Sequence, residues 1–212
     1  FFNDDLIINA LKKIIFKDPK WEQILTQLRR DTCHCIANEK SDLERWQIEI
    51  IIALAEQCFL NEYIYSINKK ENISLNKIIN LCNKGKLNQI NLSILACYFP
   101  IYKLLDQIPS IKYIKSNDEN FNELIKMQLL EPLEEIKIST SIKQIGSIKD
   151  QTSQKVRSQY EENPYPRWKS ENIFKMSKNS AIFLINNEIK PNLISYNHKS
   201  NPLKILIAGC GT

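Results

Sequence analysis

Leu203-Lys-Ile-Leu-Ile-Ala-Gly-Cys-Gly-Thr212 is the stretch whose reading decides the fold. An apolar run over 203–208, broken only by Lys204, has the texture of a strand buried on both faces of a parallel sheet. Gly209 and Gly211 follow at once in a chain that contains only 4 glycines, so their pairing is not background composition. Glycine permits positive φ and lets another group approach the backbone without meeting a Cβ. At the carboxyl end of the first strand of a doubly wound sheet, that freedom makes room for a nucleotide-like ligand. The bland alternative is a tight turn leaving a core strand.

Upstream lie two further features. Gln159-Tyr-Glu-Glu-Asn-Pro-Tyr-Pro-Arg-Trp168 places two prolines where no helix can continue, and displays Tyr160, Tyr165 and Trp168 on a stiff, irregular segment. Well before it, Ala53-Leu-Ala-Glu-Gln-Cys-Phe-Leu-Asn-Glu-Tyr63 belongs to an apolar helix. In this order the three resemble a family of bacterial proteins in which a helical region, often carrying tetratricopeptide repeats, precedes a class I S-adenosylmethionine-dependent methyltransferase domain. The resemblance spans 46–212. Its most specific piece is 159–168, while 207–212 is similar to the first cofactor-binding motif of such enzymes.

The resemblance implies S-adenosylmethionine as cofactor, with Ala208, Gly209, Cys210, Gly211 and Thr212 in the donor loop. Tyr160 or Tyr165 would cover the pocket, and Arg157 would reach a carboxylate. The other reading of these aromatics is that they seal the entry loop onto the domain core. Cys210 is a small filler between the glycines. The acid that holds the ribose belongs about 20 residues further on, and the groups facing the methyl acceptor lie beyond Thr212 as well. Methyl transfer from a sulfonium asks chiefly for alignment and exclusion of water. Catalytic residues and the acceptor are therefore not assigned. A dinucleotide is the alternative ligand, but the third glycine of Gly-x-Gly-x-x-Gly would fall past the last residue.

The chain has 212 residues, starts at Phe1 and stops inside this motif, so the expectation is the N-terminal portion of a longer enzyme, inactive alone. The expected fold is mainly α: a helical region over 1–138, a linker and entry segment over 139–168, and the first strand of a truncated Rossmann-like methyltransferase domain over 169–212. A rival from another class is a helical module that binds a protein partner, its C-terminal strand merely structural.

Composition bounds the rest. No charge-free apolar run approaches the roughly 20 residues that cross a bilayer, so no membrane partner is expected and a cytoplasmic location is the default. The net charge of +5 is uneven: 1–150 carry 20 Lys+Arg and 20 Asp+Glu, whereas 151–212 carry 9 and 4. No dense basic cluster is interleaved with aromatics, and nucleic acid is not an expected partner. The 6 cysteines of a mostly helical chain are expected as buried free thiols. Cys33-His34-Cys35 points its thiols in different directions on a helix and has no second Cys-x-x-Cys, so no metal site is expected.

Periodicity places the helices. Residues 3–16 form an amphipathic helix with Leu6, Ala10 and Ile14 as its stripe and Leu11 and Ile15 beside it. Asp18-Pro19 opens a second, with Trp21, Ile24, Leu25 and Leu28 inward, ending near Thr32. The central helix opens at Ser41 or Asp42 and runs to about Ile67, with Trp46, Ile50, Leu54 and Phe59 inward. Its polar positions Glu49, Glu56, Gln57, Asn61 and Tyr63 either line a groove or, as expected of most buried polar groups, hydrogen-bond to fix register. A polar turn over 69–74 leads to a helix over 73–82, stopped by Gly85. Further helices are expected over 88–99, 101–108, 119–130 and 152–159, with 131–148 a linker and 181–185 either helix or strand. A turn over 197–202 delivers the chain to Leu203.

Overall fold

The computed structural model describes residues 2–39, 43–142, 148–162, 181–188, 190, 191 and 193. The described part is mainly helical, and no strand occurs among the described residues. The expected strand at 203–208, the Asn163-Pro-Tyr-Pro166 segment and the turn at 197–202 lie outside them. The chain parts into two compact units, Phe1–Lys149 and Asp150–Thr212.

The first unit is built around α3 (Arg45–Leu60), in which every residue over 50–60 is buried. Its start is fixed by a reciprocal cap: the Glu44 N–H donates to Gln47 Oε1 at 2.8 Å, and the Glu44 carboxylate accepts in return. It thus begins at Arg45, later than Ser41 or Asp42, which lie outside the described residues. It ends at Leu60, well before Ile67, because Glu62 and Tyr63 turn left-handed at φ 56° and 57°. The Tyr63 N–H then closes onto the Cys58 carbonyl at 2.8 Å, satisfying a helix-end acceptor. Ile50, Leu54 and Phe59 face inward, while Trp46 is only half-buried and donates Nε1 to Glu44 Oε2.

Around α3 pack α1 (Asp5–Lys13), α5 (Gln89–Ala96) and α6 (Glu119–Ile125), and α2 (Pro19–Ala37) packs on α4 (Lys69–Leu81). α1 is capped by Asp4 but buries Ile8 and Leu11; Leu6 and Ile14 stay exposed. The expected stripe was one face too far round, because contact with α3, rather than spacing alone, selects the inward edge. Pro19 opens α2 behind an Asp18 cap, as expected. The helix runs past Thr32 because Cys33, Ile36 and Ala37 continue the buried line begun by Leu25 and Arg29, and Ile24 remains exposed.

α4 starts at Lys69, where a polar turn was expected. Asn68 and Glu71 form a capping box, the Glu71 N–H reaching Asn68 Oδ1 at 2.9 Å and the Asn68 N–H reaching Glu71 Oε2 at 2.8 Å. Its C-terminus passes through a π-turn, Cys82–Lys86, and stops at Gly85, whose φ of 85° only glycine adopts cheaply. After α5, two short 3-10 turns, Ile101–Leu104 and Pro109–Tyr113, tuck Ile101, Leu104, Ile108 and Ile111 into the core.

From α6 the helix continues through a second π-turn, Lys126–Leu130, into α7 (Glu131–Ser141). The wider turn lets Gln128 and Leu129 both reach the interior. α7 occupies residues expected as linker; Leu133, Ile136 and Ile138 on it are exposed, so no packed stripe marked it in the sequence. In the second unit, α8 (Gln151–Glu162) covers the expected entry helix, and α9 (Ala181–Glu188) resolves the short apolar block as helix.

Candidate functional site

α2 carries Arg29 at the i+4 position from Leu25 and the i−4 position from Cys33, squarely on its buried stripe. An arginine there must be paired, and it is fully buried. Its Nη2 donates to the Ser66 carbonyl at 2.7 Å and to Glu71 Oε1 at 3.2 Å, while Nη1 meets the Tyr65 carbonyl at 3.4 Å. The guanidinium carbon sits 4.2 Å from the centre of the Tyr98 ring, within cation–π range.

Glu71, also fully buried, is the hub. Arg30 Nε donates to its Oε2 at 3.0 Å, Tyr98 Oη donates to its Oε1 at 2.9 Å, and the Asn68 N–H completes the set. Burial alone would raise the Glu71 carboxyl; the Asn68, Tyr98 and Arg30 hydrogen bonds and the Arg29 charge outweigh it and hold it below the ordinary carboxylate value. Burial pushes the Tyr98 phenol well above its ordinary value, and burial likewise pushes the neighbouring Cys33 thiol up to about 11. The Glu71 carboxylate therefore stays ionised and the Tyr98 phenol neutral across the neutral range. With the Glu71 oxygens occupied by protein donors, the cluster holds α2, the turn after α5, the loop after α3 and the start of α4 together. That is a structural office.

A second set of buried polar groups fixes α3. Gln57 Nε2 donates to the Ile14 carbonyl at 2.9 Å, and Tyr63 Oη donates to Gln128 Oε1 at 3.2 Å. Gln128 Nε2 in turn reaches the Ala55 carbonyl at 2.9 Å. Lys12 bridges Asn120 Oδ1 at 2.6 Å and Glu56 at 4.0 Å. Of the two roles weighed for these positions, Gln57 and Tyr63 take the register-fixing one.

A concavity does exist in the first unit. A cleft of about 420 Å³ lies where the end of α2 meets the Gly85 turn and the start of α5. Ile36, Leu81, Leu87 and Ile90 line its apolar part, and Glu39, Lys86, Asn88 and Asn91 its polar part. Glu39 and Lys86 are exposed and paired at 2.7 Å. Of its two asparagines, Asn91 donates to the Lys86 carbonyl at 2.8 Å.

The residues expected to hold a donor fall in the second unit. Arg157 and Tyr160 lie on α8, three apart and both exposed, with Arg157 Nε donating to Glu161 Oε1 at 2.6 Å. That pair is an exposed i, i+4 bridge of small energetic weight. Tyr165, Ala208, Gly209, Cys210, Gly211 and Thr212 lie outside the described residues. Against known proteins, the chain matches no family model, no curated protein and no solved structure.

Cys33, Cys58, Cys82 and Cys97 are buried free thiols and Cys35 is half-buried. His34 Nδ1 pairs with Ser74 Oγ at 2.8 Å. No group of three or more His, Cys, Asp or Glu that could hold a metal occurs among the described residues. No helix among them is long and apolar enough to cross a membrane. The Arg29–Glu71–Tyr98 cluster was not foreseen, although two signals for it stood in the sequence: an arginine on a buried stripe, and the Asn68-x-x-Glu71 capping box.

Proposed function

We propose that this chain contributes the entry helix and donor loop of an S-adenosylmethionine-dependent methyltransferase, following a helical domain in the sequence. The observation that carries the reading is Gly209-Cys210-Gly211 directly after the apolar run 203–208, in a chain otherwise almost free of glycine. Amides and Cβ-free space in that loop would receive the amino-acid end of the donor. Arg157, one helical turn before Glu161 on an exposed face of α8, would exchange its carboxylate partner for that of the donor. The ribose-holding acid and the acceptor site would follow Thr212.

The test is calorimetry with S-adenosylhomocysteine on a protein that carries this chain together with the sequence following it. Binding is expected, and Gly209→Val or Gly211→Val should abolish the heat. Heat with NAD and none with S-adenosylhomocysteine would give the loop to a dinucleotide instead. Silence with both would leave the helical interaction module as the reading. That module would use the outward apolar residues of α7, Leu133, Ile136 and Ile138.

A further inference from the structure

We draw no further inference here: the strongest candidate, the exposed apolar surface of α7 around Leu133, Ile136 and Ile138, carries nothing because no feature of the structure shows what covers it.

Discussion

The Arg29–Glu71 pair offers a sharp test of how the helical unit is held together. Both side chains are fully buried and 3.2 Å apart. Glu71→Leu would remove the acceptor for Arg29, Arg30, Tyr98 and the Asn68 N–H at once. Arg29 would keep the Ser66 and Tyr65 carbonyls and the Tyr98 ring, with no anion to compensate its charge. Breaking one side of a buried pair costs about 3–5 kcal/mol, a large share of the roughly 5–15 kcal/mol that holds a domain folded. Arg29→Met should cost a similar amount, since Glu71 would lose its nearest buried cation and α2 its hold on the loop before α4. The double variant removes both charges, and Tyr98 Oη still has the Arg29 main-chain carbonyl 3.3 Å away as acceptor. Replacing a whole buried pair by apolar groups is often close to neutral; here the lost carbonyl bonds leave a deficit of about 1–2 kcal/mol. The double variant should therefore be more stable than either single one. Urea unfolding of residues 1–149, followed by helical circular dichroism, reads all three midpoints. Strict additivity of the two single losses, or single losses below about 1 kcal/mol, would show that the cluster is not the joint described above.

Four other outcomes are expected. Because the Glu71 carboxyl is held below its ordinary value near 4.5, its contribution is complete above that pH and fades as the pH falls through the lower, folded value. Glu71→Gln should then flatten the acid limb of a stability-versus-pH curve, leaving the share of Asp118, which is depressed too; an unchanged acid limb would refute this. Leu54→Ala, at a buried position in the middle of α3, should lower stability by about 2–5 kcal/mol, and a shift in midpoint too small to measure would remove α3 from the centre of the core. Gly85→Ala meets no atom within 4 Å and should cost only the left-handed backbone penalty, about 1–2 kcal/mol; a loss above about 3 kcal/mol would point to a packing role. On the proposed donor-loop reading, Gly209→Val should abolish S-adenosylhomocysteine heat, and retained binding would break that reading.

The sequence foretold helices best where local chemistry and burial agree. Asp18-Pro19 opens α2 and Gly85 ends the turn after α4, because a cap and a left-handed stop act within a few residues of themselves. Among the boundaries that differ, two do so for opposite reasons. α3 stops early because Glu62 and Tyr63, neither of them glycine, adopt left-handed φ, with the Tyr63 phenol anchored on Gln128 65 positions away. α4 starts early because Asn68-Lys-Lys-Glu71, which looks like a polar turn by composition, is a reciprocal cap by geometry. In the first case a distant partner overrode a local signal; in the second a local signal was present and composition masked it.

The buried cluster shows why a site can be half-legible. Arg29 interrupts an apolar stripe, and a charge in that place demands a partner; the sequence alone could have raised the question. It could not supply the answer, since Glu71 is 42 positions further on and Tyr98 69. Their meeting depends on α2 packing against both α4 and α5, a tertiary fact. α7 is the converse case. Its Leu133, Ile136 and Ile138 face water, so the helix owes little to burial. It persists because α6 feeds it a preformed end through the turn at Lys126–Leu130, and Gln128 nails that turn to the Ala55 carbonyl. Extending an existing helix avoids the costly nucleation that a free segment of this length would face. The 131–141 segment read as a linker because it buries no apolar stripe, although Pro132 and the acidic Glu131 and Glu134 of its first turn are helix-start signals of its own.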